Sequence, residues 1–236
     1  WATPARATSG GDPRPAALRR VTFGPREPCT PMQCARDDAA HDAGRQPAAD
    51  PSRMHRVVSS TQLSPNVYRL RVEAPRIAEI RRPGQFVIVR RAEGAERIPL
   101  TIADVDAAAG TIDLVIQAIG KSTTDLVELP VGDAIRDIAG PLGLPTELIA
   151  SGHAVCVGGG VGNAVVYPIA QELHRRGVRV TSVIGGRSKE WVILEPELRA
   201  EGDVVVCTDD GSYGRHGFVT DALKDLLEAG GIDEVF

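Results

Sequence analysis

The chain has 236 residues, enough for one large domain or two small ones with cores of their own, and 42% of them are apolar. A formal net charge of −4, with 27 basic residues scattered among 31 acidic ones, offers no basic stripe to a nucleic acid or an anionic membrane surface. No run approaches the roughly 20 apolar residues that span a bilayer, and the arginine-containing N-terminal stretch lacks the apolar core of a secretory signal, so a soluble cytoplasmic protein is expected.

Residues 1–53 are rich in Ala, Pro, Arg, Gly and Asp and show neither a helical nor a strand period. They lack the apolar content that offsets ordering entropy, and disorder is expected. The first residue is Trp1, whereas Met54 opens a well-patterned segment. Residues 1–53 are therefore either a flexible arm or upstream sequence translated in error. Cys29 and Cys34 lie here at a loose spacing, without a second pair or a histidine cluster, and no metal site is assigned.

From Met54 the chain reads as short strands. Tyr68, Leu70 and Val72 alternate with polar residues, as do Ile112, Leu114 and Ile116, the period of half-buried antiparallel strands. Pro83-Gly84 is a turn signal, and Gln85 to Val89 reads as another strand. Many short strands at this spacing predict a small closed or nearly closed β-barrel over residues 54–148.

After Gly152 the pattern becomes alternating strand and helix. Ala154 to Val157 is an apolar strand ending in glycines, and Asn163 to Arg176 carries a helical stripe of Val166, Ile169, Ala170 and Leu173 that Gly177 stops. Strand Val178 to Ile184, helix Glu195 to Ala200, strand Val204 to Cys207 and helix Phe218 to Glu228 follow. This predicts a parallel α/β domain over residues 149–236. Cys156 and Cys207 fall in its valine-rich strands and are expected to be buried and reduced. Ile232 to Phe236 reads as the start of a fourth strand, so the domain is expected to be incomplete at its C-terminus.

Gly158-Gly159-Gly160-Val161-Gly162 lies between a buried strand and a helix, where bare amides and a helix N-terminus can hold a pyrophosphate. The bland alternative is a tight turn needing positive φ. The spacing is not G-x-G-x-x-G, which disfavours an ordinary N-terminal Rossmann dehydrogenase, and no Gly-Lys-Ser/Thr closes it, which disfavours phosphoryl transfer. Two further loops, Gly185-Gly186-Arg187-Ser188 and Thr208-Asp209-Asp210-Gly211-Ser212, fall at carboxyl ends of strands and should border the same cleft. Arg187 is a candidate for a ribose or a 2′-phosphate, and Lys189 could also tolerate one. Asp209 and Asp210 are adjacent and point apart, so they read as ribose or loop-capping groups and not as an acid/base pair. His153 and His174 are lone residues and read as surface or packing positions.

In chain order, Arg97-Ile98-Pro99-Leu100-Thr101-Ile102, Gly120-Lys121-Ser122-Thr123, Gly140-Pro141-Leu142-Gly143, the glycine run and Thr208 to Gly214 together resemble the ferredoxin-NADP reductase superfamily. The likeness covers Met54 to Phe236. Within the superfamily it is to the dihydroorotate dehydrogenase electron-transfer subunit, the sulfide dehydrogenase β subunit and the small subunit of NADH-dependent ferredoxin:NADP oxidoreductase.

The resemblance implies that Arg97, Ile98, Pro99, Leu100 and Thr101 meet FAD, with the Thr101 hydroxyl near the reactive ring nitrogen as the catalytic group. Val115, Ile116 and Gln117 match a strand lining FAD, and Ser122 and Thr123 match the loop that holds its pyrophosphate. Gly140 to Gly143 match a linker passing beside the nicotinamide. Gly158, Gly159, Gly160, Gly162, Arg187, Asp210, Gly211 and Ser212 match the cleft for NAD(H) or NADP(H).

Some positions depart from the family pattern. The family arginine stands three residues before the Ser or Thr, where this chain has Ile98, and the family proline after the glycine loop is Val165 here. Asn163 replaces an apolar residue, and such changes are expected to loosen the loop without abolishing amide donation.

The implied function is an electron-transfer flavoprotein moving electrons between NAD(P)H, FAD and, in the complete protein, a [2Fe-2S] centre. The implied partner is a larger dihydroorotate dehydrogenase-like or glutamate synthase-like subunit, or a ferredoxin, which makes pyrimidine biosynthesis one setting. The alternative is a non-catalytic subunit of the same fold that binds flavin as structure or not at all.

Overall fold

The structure is a computed structural model that describes residues 54–236. The expectations for residues 1–53, Cys29 and Cys34 included, lie outside the described residues. Among the described residues no helix is long and apolar enough to cross a membrane, and no group of His, Cys, Asp or Glu is arranged to hold a metal ion.

The first half is a seven-stranded antiparallel sheet. β1 (His55–Ser64) and β2 (Val67–Glu73) form a hairpin, with Ser60 opposite Leu70. After α1 (Pro75–Ile80), begun by a proline that needs no N–H there, come β3 (Phe86–Arg90), β4 (Ile98–Asp106) and β5 (Thr111–Gln117). α2 (Lys121–Val127) is followed by β6 (Ala134–Ile135) and β7 (Asp137–Leu142). The strand order is β6-β1-β2-β5-β4-β3-β7. Its two edge strands are separated in the chain by Arg136 alone, whose N–H donates to the Arg91 carbonyl, so the sheet curls into a nearly closed barrel. Leu70, Val72, Ile102, Ile112, Leu114 and Ile116 fill it, with Leu126 of α2 and Ile77 of α1 packed on the same core.

β5 departs from the expected half-buried strand. Every residue from Thr111 to Ile116 is buried. Its outward side chains are covered: Val115 packs into the core shared with the second half, and the Asp113 carboxylate accepts two hydrogen bonds from Arg71 at 2.7 and 2.8 Å. Period 2 reports which face a side chain takes, and here the outer face also has a neighbour.

The second half is a parallel sheet built from β8 (His153–Gly159), β9 (Arg179–Gly186), β10 (Asp203–Thr208), β11 (Arg215–His216) and β12 (Glu234–Val235), in the order β11-β10-β9-β8-β12. α3 (Asn163–Arg175) and α4 (Glu195–Glu201) lie on one face and α5 (Val219–Ala229) on the other. The alternation of β8 separates the two: Ala154 and Cys156 join the α3 side, Val155 and Val157 the α5 side. Burial pushes the Cys156 thiol up to about 12, and Cys207 is raised for the same reason; both are free thiols.

The helices match their predicted spans to within a residue or so. α3 ends where Gly177, at φ +79°, lets its own N–H reach His174 O and the Val178 N–H reach Leu173 O. α5 starts one residue late because the Phe218 N–H is capped by the Asp221 carboxylate.

The two halves share one core. Val67, Ala103 and Val115 of the barrel join Ala170, Leu173, Val180 and Leu198 of the α/β half. Arg69 of β2 is paired with Glu197 of α4 across the seam.

Candidate functional site

β8 runs out at Gly158 and Gly159, Gly160–Gly162 make one 3-10 turn, and α3 begins at once at Asn163. The glycines differ in what they do. A Cβ on Gly158 would lie 2.7 Å from Asn163 Oδ1 and 3.0 Å from its backbone N, so the strand end and the helix start are in contact there. Gly160 alone of the run takes positive φ, +55°. Gly159 and Gly162 have open space where a Cβ would be. The run is therefore more than a turn requirement: Gly160 is open in the same way, so three of its members leave room at the positive end of a 13-residue helix.

Asn163 does not loosen this turn, contrary to the sequence expectation. It is fully buried, and its Nδ2 donates to Ile193 O at 3.1 Å, tying the turn to the segment before α4. Val165 is 44% exposed, and a proline, Pro168, stands three residues further along the helix.

The sheet order makes β8 the switch point, with β9 on one side and β12 on the other, the place where open α/β sheets bind ligands. A cleft of about 480 Å³ opens there. Gly159, Gly160, Gly185, Gly186, Arg187 and Asp209 line it from the sheet, and Asn66, Gln117 and Ile119 line it from the barrel. The 3-10 turn packs against β5, whose last residue is Gln117. Arg187 lies over the Trp191 ring, 5.9 Å from its centroid, and Lys189 over that of Tyr213 at 5.2 Å.

The barrel residues singled out in the sequence divide between the two faces of their strands. Leu100, partly buried, packs on the barrel core and Ile116 is buried in it, so both side chains point toward that core. Ile98 packs on the same core and also edges a hollow of about 230 Å³ that includes Lys121 and Ser122. Pro99 and Thr101 alternate with these and take the outer face of β4, the face from which Ala103 joins the seam. Thr101 is opposite Phe86 and part-exposed. Val115 is sealed in the seam and does not line the cleft.

Ser122 and Thr123 are engaged by the protein itself. The Ser122 hydroxyl donates to Glu96 at 2.6 Å. The Thr123 hydroxyl accepts from the Ile119 and Gly120 N–H groups and donates to Gly120 O, so it shapes the loop and leaves the amides of the first turn of α2 as the free donors.

Five predicted positions fall elsewhere. Arg97 and Gly140 meet in a separate hollow with Arg90 and Asp137. Gly140 is a strand residue of β7 and not part of a linker; a Cβ there would strike Val87 at 2.7 Å. Asp210, Gly211 and Ser212 form a self-contained loop: Asp210 accepts from the Ser212 N–H and Ser212 Oγ from the Lys189 N–H, both at 2.9 Å. The hydrogen bonds from Ser212 hold the Asp210 carboxyl below its usual range. Asp209, not Asp210, borders the cleft.

Sequence reasoning missed Asn66, Ile119, Trp191 and Phe218 among the residues lining the cleft, while Asp209 lies where its loop was expected to border it. Ile119 and Phe218 carried a signal, as large apolar residues that neither period assigned to a core; they are 77% and 62% exposed.

Comparison with known proteins places the chain in a family. Residues 54–145 match the family described as the oxidoreductase FAD-binding domain. The chain is 40% identical over 174 residues to the dihydroorotate dehydrogenase B (NAD(+)) electron transfer subunit homolog of Thermotoga maritima, a match covering 74% of this chain and 62% of that protein. It is 38% identical over 174 residues to the dihydroorotate dehydrogenase B (NAD(+)) electron transfer subunit of Geobacillus thermodenitrificans, covering 71% and 67%. Among solved structures, a chain of the NADH-dependent reduced ferredoxin-NADP oxidoreductase superposes with a TM-score of 0.73 at 37% identity, over 77% of this chain and 66% of that one. The chain thus spans about 62% of the length of the first curated relatives it matches. It belongs, by sequence and by fold, to the family of the dihydroorotate dehydrogenase B electron transfer subunits, which share the ferredoxin reductase architecture.

Proposed function

We propose that this chain is the FAD- and nicotinamide-binding part of an electron-transfer subunit, with residues 54–148 holding the flavin and residues 149–236 the nicotinamide nucleotide. The observation that carries the reading is the shared cleft: the end of β5 and the amide-rich turn after β8 border the same space. The residues present fit the groups. Gly159 leaves the close approach that a pyrophosphate on the α3 N-terminus needs, and on the neighbouring strand β4 Pro99 is exposed and Thr101 part-exposed on the outer face.

When bound, FAD supplies the chemistry that converts a two-electron hydride donor into single electrons. The chain supplies position. The Thr101 hydroxyl orients the flavin, the amides of Gly159 and Gly160 seat the nucleotide, and Arg187, braced on Trp191, reaches the ribose. The names of the relatives favour NADH over NADPH. No strong acid or base is required, in keeping with a cleft whose carboxylate is Asp209. The names of the relatives, electron transfer subunits, support a larger catalytic subunit as the partner that would take the electrons.

A second reading, a structural subunit that does not turn over, draws on Arg97 lining a different hollow from that of Ser122 and on the occupied Thr123 hydroxyl. A visible spectrum separates the two. The purified chain is expected to take up equimolar FAD and to lose its absorbance on anaerobic addition of NADH; a chain that stays colourless with FAD, or coloured with NADH, overturns the first reading.

A further inference from the structure

Two aromatic side chains line the cleft, Trp191 and Phe218, and they differ in what already covers them. Trp191 is half-buried and carries the Arg187 guanidinium over its ring. Phe218 is 62% exposed, packs on none of the cores and has no cation over its ring among the described residues. An apolar ring left in water on the wall of a binding cleft is a surface for a ligand that is itself flat and poorly hydrated.

The backbone on either side of this ring is held. The Phe218 N–H donates to the Asp221 carboxylate at 3.1 Å. Val219, the next residue, sits against Gly185, where a Cβ would lie 2.6 Å from Val219 Cγ1. The ring therefore projects from a fixed base, and little backbone ordering remains to oppose binding.

The two walls of the cleft receive different halves of a dinucleotide. The barrel joins the core on the α3 and α4 face of the sheet, whereas α5, which Phe218 immediately precedes, packs on the opposite face. The cleft thus runs over the carboxyl edge of the sheet, from Gln117 and Ile119 on the barrel wall to Phe218 at the start of α5. The next step rests on the function proposed above. With the pyrophosphate on the Gly159–Gly160 turn, the nicotinamide has to turn toward the barrel to meet the flavin, which leaves the adenosine half for the other wall. We propose that the Phe218 ring is the platform on which the adenine base of the nicotinamide nucleotide stacks. A purine offers a π-face to any exposed aromatic ring, so the contact needs no hydrogen-bond partner from the chain.

The test is titration of NADH into the chain and displacement of that NADH by ADP-ribose, which keeps the adenosine and the pyrophosphate but lacks the nicotinamide. Phe218→Ala is expected to weaken NADH and ADP-ribose by the same factor, about tenfold, the range for one base stacked on one aromatic ring. Phe218→Tyr, which keeps the ring, is expected to bind both within about twofold of the parent. Melting curves of both variants should match the parent, because the side chain belongs to no core. Parent affinity in Phe218→Ala, a loss for NADH without a loss for ADP-ribose, a tyrosine variant as weak as the alanine one, or a lowered Tm that accounts for the weaker binding would each overturn the proposal and leave the reading of the cleft standing. A parent that binds neither NADH nor ADP-ribose would overturn that reading, and the proposal with it.

Discussion

Leu173→Ala is expected to lower the unfolding free energy by roughly 3 kcal/mol, the range for a leucine emptied from a packed core, and to lower Tm by about 10 °C. Leu173 has no exposed surface and sits in the last turns of α3, in the core that also holds Ala103 and Val115 of the barrel and Val180 and Leu198 of the α/β half. The surroundings are strands and a helix end pinned by the Val178-to-Leu173 hydrogen bond, which cannot collapse into the space. Since that core belongs to both halves, the variant and the parent should each melt in a single transition. Scanning calorimetry decides: a loss below about 1 kcal/mol would mean the site is looser than the packing shows, and two separated transitions would mean that the halves are not one cooperative unit.

The second large effect is on binding. Gly159→Ala is expected to leave Tm unchanged, because a methyl there meets nothing within 4 Å and the backbone, at φ −136°, is extended. The same methyl stands in the space beside the amides, so NADH affinity should fall by about tenfold or more, the loss of one or two charge-assisted contacts. Gly158→Ala should behave differently. Its methyl would overlap Asn163 Oδ1 and press on the α3 backbone, costing about 1–3 kcal/mol of stability as well as the site. Melting curves and NADH titrations of the two variants separate the roles; a Gly159→Ala protein that binds as the parent would remove the turn from the binding site.

Much of this arrangement was legible in the sequence where a side-chain period coincides with a single environment. Val166, Ile169, Ala170 and Leu173 meet one core along one helix face, and the stripe gave α3 almost to the residue. The glycine run was legible because strand, turn and helix follow one another without a gap. What remained hidden depends on contacts between distant segments. Val115 and Gln117 lie two residues apart on one face of β5, yet one is sealed in the seam and the other borders the cleft, a difference set by α3 and the turn before it.

Gly140 and Arg97 were misplaced because small and charged residues have several structural uses; at Gly140 the use is the close approach of Val87. Barrel closure rests on a two-residue strand, β6, too short to carry a period.

The most direct test of the shared cleft is rapid anaerobic mixing of the FAD-loaded chain with NADH, monitored at long wavelength. Stacking of a reduced nicotinamide on an oxidised flavin produces a broad charge-transfer absorbance that requires the two rings in van der Waals contact. The barrel face of Thr101 and Gln117 and the turn at Gly159 and Gly160 predict that this band forms before the flavin is reduced, and that Gly159→Ala weakens it. A chain that binds both FAD and NADH but shows neither the band nor flavin reduction would contradict the account.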